Sequence, residues 1–459
     1  MDQYNENHTS LKEIEHVLFH ALQQTFHRIL LQLLTNLDQR LADNRDKKRF
    51  VLHDKRATSL ETTLGAVTLR RNYYRDRQSG QYVYLLDRFL SFAGPKHFSP
   101  AFEQWALEEA VDSSSYRKAA AQIERFLGYR AISHETIRQQ VLETEILPPQ
   151  KQLPAPKVLF LETDGLFSSR QKAKGAVQPR PGKEAKMVCV HSGWKKAPHS
   201  GESRLVTPCI YYHNGKEPFW EGVQHFLEET YDLDYTQTDF VISGDGASWI
   251  AAGEEVLGPK HTLYHHDTFH ITRDLRQLMK HHPRYPKMVQ ALKQGQPDQL
   301  LLELNSAAGT METEEQEARL GELSQRIDEK KTAFSNFKSW LEAHGHDTKD
   351  MATLGASESV MSLMARRMKY HRSWSDAGYD HLQELVIAKV NGLKVVLPGE
   401  QRVFRLDQDE VQSPLSAAQV LPKKSCEKAA VDTLHENLPY LKQSAAAPIC
   451  SALKGLAGY

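Results

Sequence analysis

The sequence predicts an α/β protein built on a mixed sheet with a helical insertion, and three observations predict it. Two buried-type strands, Lys157–Asp164 and Asp239–Asp245, each run from apolar residues into an aspartate followed by glycine. Four prolines (Pro148, Pro149, Pro154, Pro156) set these strands apart from the N-terminal third, because such density continues neither a helix nor a central strand. Beyond them strands and helices alternate, the order of a layered α/β domain.

The chain has 459 residues, enough for roughly two to four domains. Hydrophobic residues make up 40% and charged residues 25%, so core burial is ordinary. Lys plus Arg equals Asp plus Glu at 58 each, which argues against a simple polycationic nucleic-acid coat but leaves room for local basic surfaces. Cys189, Cys209, Cys426 and Cys450 form no C-x-x-C pair, which points to a reduced, cytoplasmic protein. The opening M-D-Q-Y-N-E-N-H lacks the charge and apolar pattern of a secretion signal. The greasiest stretch, Leu22 to Leu37, is broken by Gln, His and Arg, so no membrane partner is expected.

Residues 1–50 read as an N-terminal helix. Ser10 and Glu13 have capping-box spacing, and Leu18, Leu22, Phe26, Ile29, Leu33 and Leu37 recur every three or four positions. Residues 51–147 read as a β-hairpin and helix-turn-helix-like DNA-binding region. Leu60–Leu64, Ala66–Arg75 and Gln81–Leu86 form the expected meander, with Arg70, Arg71, Arg75 and Arg77 interleaved with Tyr73 and Tyr74. Basic and aromatic residues together suit a nucleic-acid face, and also suit an edge strand defended by charge. Ser115 caps a helix that Gly128 stops, and Ser133 opens a second helix, His134 to Glu143, with Arg138 exposed. Such a pair can place its second helix in the major groove.

Residues 157–270 form the core. Strands at 157–163, Met187–His191 and Leu205–Tyr212 precede a helix near Pro218 to Thr230. A strand at Asp239–Ser243, a short helix from Ala247 to Val256, a strand at Thr262–His265 and a helix from about Phe269 complete it. Three strands followed by this alternation is the order of an RNase H-like mixed sheet. Residues 271–350 read as a solvated helical insertion with Leu320, Leu323, Ile327, Phe334, Phe337 and Leu341 on one apolar face, 351–395 as a final catalytic helix region, and 396–459 as a C-terminal tail of no clear pattern.

In such a sheet Asp164 and Asp245 face each other and can share a hard divalent ion, Mg²⁺ with Mn²⁺ as a substitute. Two ions about 4 Å apart would serve phosphodiester chemistry. The third ligand falls to Glu358 in G-A-S-E-S, with Asp376 and Glu384 as lesser candidates. Each acid also has a plain reading: Asp-Gly is a common turn, and a first-turn glutamate offsets a helix dipole. Arg366, Arg367, Lys369 and Arg372 follow Glu358 and suit a phosphate backbone. Between the first two strands Arg170, Lys172, Lys174, Arg180, Lys183 and Lys186 oppose only Glu184, a balance of +5 beside Asp164. A rival reading takes His266-Asp-Thr-Phe-His270, near His261 and His265, as a zinc hydrolase site with Asp in place of the usual Glu. A third takes the chain as a catalytically inactive DNA-binding protein.

The motifs E-T-D-G at Asp164, G-D-G-A-S-W-I at 244–250, D-T-F-H at 267–270, G-A-S-E-S at 355–359 with Arg366, and W-S-x-x-G from Trp374 stand together. With Y-x-Y-L-L-D at 82–87 and S-Y-R-K-A-A at 115–120, they span roughly residues 55 to 395. In these the chain resembles bacterial insertion-sequence transposases of the ISLre-two family, relatives of the Mutator-type DDE transposases. The resemblance implies a catalytic, metal-holding triad of Asp164, Asp245 and Glu358, with Asp267 and His270 matching a C/D-x-x-H motif. It implies cutting of terminal inverted repeats, transfer of a 3′-hydroxyl to target DNA, and a homodimer or larger assembly on DNA.

Overall fold

The computed structural model describes residues 10–90, 98–149, 151–172, 180–198, 201–369 and 372–397. The chain divides into two compact units, Met1–Glu145 with Val396–Tyr459, and Ile146–Val395. Apart from its first two residues the C-terminal tail lies outside the described residues. Among the described residues no helix is long and apolar enough to cross a membrane.

In the first unit α1 spans Leu11–Asn44 and opens with the expected capping box, the Ser10 hydroxyl accepting from the Glu13 N–H and the Glu13 carboxylate from the Ser10 N–H. Its C-terminal half buries Leu34 and Leu37 against Leu69 and Leu86. The meander differs from expectation. Strand β1 (Phe50–Thr62) pairs antiparallel with β2 (Gly65–Asp76), from Phe50↔Asp76 to Thr62↔Gly65. It starts at Phe50 instead of Leu60 because residues 52–57 are exposed and carry no apolar period for a sequence to reveal. Strand β3 is only Tyr82–Val83, since the chain then turns into α2 (Leu85–Phe89). Helices α3 (Pro100–Asp112), α4 (Tyr116–Leu127) and α5 (His134–Glu143) follow, capped by Ser99, Ser115 and Ser133. Arg138 on α5 is half-buried, not exposed; its guanidinium forks onto Glu135 at 3.0 and 2.6 Å.

The second unit is a mixed sheet with helices on both faces. Strand β4 (Val158–Arg170) pairs antiparallel with β5 (Lys183–His191), and β5 with β6 (Cys209–His213). On its other side β4 pairs in parallel with β7 (Asp239–Gly244), and β7 in parallel with β8 (Thr262–His266). The spatial order is β6-β5-β4-β7-β8. A short β9 (Ser373–Trp374) pairs with the far end of β4. The helices are α6 (Phe219–Thr230), the short α7 (Ser248–Ala251) and α8 (Gly253–Leu257), then α9 (Thr268–Met279), α10 (Tyr285–Lys293) and α11 (Pro297–Asn305). They continue as α12 (Glu314–Glu329), α13 (Phe337–Ala343), α14 (Ala356–Met368) and α15 (Asp376–Asn391).

Alternation along β4 sends successive side chains to opposite faces. Leu159 and Leu161 join Val188, Val190 and Ile242 in the larger core, which also holds Trp220, Leu275, Leu304, Leu323 and Ile327. Val158 and Phe160 turn the other way, packing with Val241 and Leu263 against Phe337 and Leu341 of α13. The segment expected to be a solvated insertion therefore builds much of the main core. Its charged residues cover the outer side of amphipathic helices whose apolar stripe faces the core.

Strand β4 also runs further than expected. It passes through Asp164, paired with Met187, and continues to Ser168 paired with Lys183. The Asp164–Gly165 step is thus extended strand, not a turn, and much of the expected basic loop is a hairpin.

Candidate metal centre

Glu162 and Asp164 project to the same face as Phe160, two residues apart on β4. The last β4–β7 pair, Ser243↔Glu162, brings Asp245 level with Asp164 just past the end of β7. The pair Gly244↔His266 does the same for Asp267 at the end of β8. Three neighbouring strands thus deliver three acids at one level, at the carboxyl ends of β7 and β8 and at the middle of β4, and open α/β sheets bind ligands at such strand ends. Asp267 is the N-cap of α9 and accepts from the Phe269 N–H at 2.9 Å. His270 sits three positions on, where N-cap and N3 side chains meet, with Nε2 3.7 Å from the Asp267 carboxylate. The first turn of α14 supplies Glu358, whose Oε1 lies 3.5 Å from His270 Nε2. Ligand atoms of Asp164, His270 and Glu358 all lie within 4.8 Å of one another, the one such His, Cys, Asp or Glu group of three among the described residues.

Burial raises the Asp164 carboxyl above the usual carboxylate range; the Gly165 N–H, 2.7 Å from Oδ1, opposes this, Glu358 and Asp245 add to it, and His270 counters them. Burial likewise raises Asp267, against the Phe269 N–H and the nearby His270, with Glu162 and Asp245 adding. A cation would relieve both. Two carboxylates and an imidazole suit a divalent ion; carboxylates favour Mg²⁺ and Mn²⁺, and the imidazole shifts preference from Mg²⁺ toward Mn²⁺ or Zn²⁺.

Asp245 is exposed and accepts from the Ala247 N–H at 3.0 Å. It stands beside the close trio rather than in it and acts on Asp164 through its charge. The histidine that completes the trio, His270, is singled out by the resemblance and by the rival zinc reading, which pairs it with His266. The i, i+4 zinc pair does not form, because His266 ends a strand while His270 lies on a helix. The His266 ring is buried against Phe334 at 4.8 Å, and burial lowers its pKa to about 4.

The basic residues divide more sharply than the sequence suggested. Arg170 pairs with Asp376 at 2.7 Å and Arg180 with the same carboxylate at 3.2 Å, while Lys183 bonds Asp380 and Lys186 lies 4.7 Å from the Trp249 ring centre. The local +5 is therefore partly offset by the two α15 carboxylates, Asp376 and Asp380. Lys172 is exposed, and Lys174 lies outside the described residues. On α14 Arg366 and Lys369 are exposed, but Arg367 is buried 5.4 Å from the Trp374 ring centre, so it is no phosphate contact. Arg372 donates to the carbonyls of Arg366, Arg367 and Lys369 at 2.9, 2.7 and 3.1 Å and closes the helix end. Of the lesser third acids, Asp376 is held by Arg170 and Glu384 accepts from Asn214.

Two buried residues escaped the sequence reading, Glu162 and His191, which lie 3.0 Å apart (Oε1 to Nε2) beneath the trio's strand. A glutamate inside an otherwise apolar strand was the available signal.

A family model described as an uncharacterised protein family, UPF0236, matches residues 4–400. A Streptococcus gallolyticus relative, named as a UPF0236 protein in the vanSb 3′ region, is 26% identical over 416 residues, 88% of this chain and 88% of its own. A UPF0236 protein of Caldanaerobacter subterraneus subsp. tengcongensis is 23% identical over 359 residues, 76% of this chain and 71% of its own, and its name joins eleven locus designations.

Proposed function

We propose that this chain, which belongs to the uncharacterised protein family UPF0236, is a divalent-metal-dependent DNA transposase of the DDE type with an RNase H-like core. The observation that carries the reading is the meeting of Asp164 and Glu358, distant in sequence, midway along the central strand and level with the end of β7. The order β6-β5-β4-β7-β8, antiparallel on one side of β4 and parallel on the other, agrees with an RNase H-like sheet. The relative whose name covers eleven loci supports the same reading, since repeated occurrence in a genome is what a self-mobilising sequence produces.

Asp164, Glu358 and His270 would hold one ion, and Asp245 beside them would serve a second. Bound Mg²⁺ or Mn²⁺ would supply an acidified water and stabilise the departing oxygen. The chain's own work is positioning: carboxylates fix the site, and Arg366 and Lys369 on α14 meet the phosphate backbone. Water cuts at the element end and frees a 3′-hydroxyl, which then attacks target DNA. In the first unit Tyr73 packs on Tyr82 and Tyr84 at 5.2 and 4.6 Å with Arg56 over its ring at 4.1 Å, a cationic aromatic surface suited to DNA. With α4 and α5 it reads the terminal inverted repeats. Joining two ends calls for a dimer or larger assembly.

The test is nicking of an end-bearing duplex in Mg²⁺. A nick leaving a 3′-hydroxyl, lost in Asp164→Asn, is expected; a nick that survives this change rejects the assignment.

A further inference from the structure

We propose that Glu162 is a positioning residue for Glu358: its buried carboxylate takes up the backbone donors that open α14, and this leaves the Glu358 carboxylate to face the metal centre. The inference rests on the metal-site reading above.

Glu162 lies mid-strand on β4 and is 1% exposed. Its Oε2 accepts from the Gly355 N–H at 2.6 Å and the Ala356 N–H at 2.7 Å. Its Oε1 lies 3.0 Å from Nε2 of His191. The His191 ring is itself fixed, stacked on Phe160 at 5.0 Å, edge-on to Trp194 at 4.9 Å, with Nδ1 accepting from the Gly193 N–H at 3.2 Å. Nδ1 also lies 3.3 Å from the Gly193 carbonyl, and the proton is assigned to Nε2 because the Glu162 carboxylate beside it is an acceptor.

A helix begins with unsatisfied N–H groups, and a glutamate at the third position normally folds back to the N-cap N–H. Glu358 occupies that third position, and the N-cap is Gly355, which has no side chain to cap with and sits at φ +152, where other residues are strained. Because Glu162 already holds the Gly355 and Ala356 donors, Glu358 need not fold back, and it extends to 3.5 Å from His270. The negative charge of Glu162 also suits the positive end of the helix dipole. Glu162 and Asp164 share one face of one strand, so β4 sets both a ligand and the start of the helix that carries its partner. A buried charge kept only for stability would be a poor choice, since apolar replacements often do as well.

The experiment measures Mn²⁺ affinity of the full chain, without DNA, for the parent, Glu162→Ala, Glu358→Gln and the double variant. Glu162→Ala is expected to weaken Mn²⁺ about tenfold, as changes behind a ligand do. In the Glu358→Gln background the same change should cost less than about twofold, because no Glu358 carboxylate remains to be misplaced. Unchanged affinity in Glu162→Ala, or an equal loss in both backgrounds, overturns the proposal. A parent whose Mn²⁺ binding is indifferent to Asp164→Asn instead refutes the metal centre, and the proposal with it. Should Glu162→Ala fail to fold, Glu162→Gln keeps the side-chain volume but removes the negative charge that holds the Gly355 and Ala356 donors. A threefold or greater loss of Mn²⁺ affinity is then expected, and none overturns the proposal.

Discussion

At the amino end of β7, Asp239 is buried with both oxygens occupied: His261 Nδ1 lies 2.9 Å from one and His346 Nε2 2.6 Å from the other. At the carboxyl end of the same sheet the same residue types meet more loosely. His270 stands 3.5 Å from Glu358 and 3.7 Å from Asp267, and Asp164 is pushed toward its protonated form by burial and by Glu358. The first cluster is closed, its hydrogen bonds made within the protein. The second holds like charges around a gap, at the cost of stability. Carboxylate and imidazole side chains thus mark a ligand site only where their own pairing is left incomplete.

The largest expected effect separates the two ends by activity. Asp164→Asn should lower nicking by about 10³-fold or more, several kcal/mol of lost metal catalysis, while Asp239→Asn stays within about threefold on the same gel assay.

Thermal unfolding without metal should reverse the ranking. Asp239→Ala strands two histidines and should cost about 2 kcal/mol. Asp164→Asn should stabilise at neutral pH. A carboxyl raised in the folded state favours folding at low pH and loses that contribution as pH rises through its folded value. The gain from the amide should therefore vanish near pH 3, below the unfolded carboxyl's range.

A pH-dependent effect comes from the two histidines of β8. Burial lowers His265 and His266 to about 4 from 6.5. Their neutral forms favour folding above the unfolded value, and this is lost as pH falls from 6.5 to about 4. Stability should drop there by about 1.4 kcal/mol per pH unit for each, and His265→Asn should flatten the urea-midpoint profile.

The smallest concerns DNA. Arg366→Ala should reduce the salt dependence of binding by about one unit of slope in a fluorescence titration, whereas Arg367→Ala, a change at a buried side chain, should lower Tm instead.

The strands that place the candidate metal centre were legible because they carry a local signal. Apolar runs ending in Asp164 and Asp245 read as strands, whereas D-T-F-H is read by resemblance, and the cap that Asp267 makes for the helix carrying His270 emerges only in the fold. Glu358 was legible by motif, its surroundings were not. What stayed hidden is contact across long separations. Arg170 reads as a free cation until Asp376 is seen beside it, and Glu162 reads as part of an acidic strand tip until Gly355 and Ala356 are seen to donate to it. The stripe of α12, Leu320, Leu323 and Ile327, was read correctly as a face but assigned to solvent, because nothing local says that the sheet lies against it.

The most direct measurement is an anomalous difference map from crystals of the full chain soaked in Mn²⁺. A peak is expected among Asp164, Glu358 and His270, at about 2.0–2.2 Å from the carboxylate oxygens as small hard divalent ions require. A peak among Asp239, His261 and His346, or none at the strand ends, contradicts the assignment.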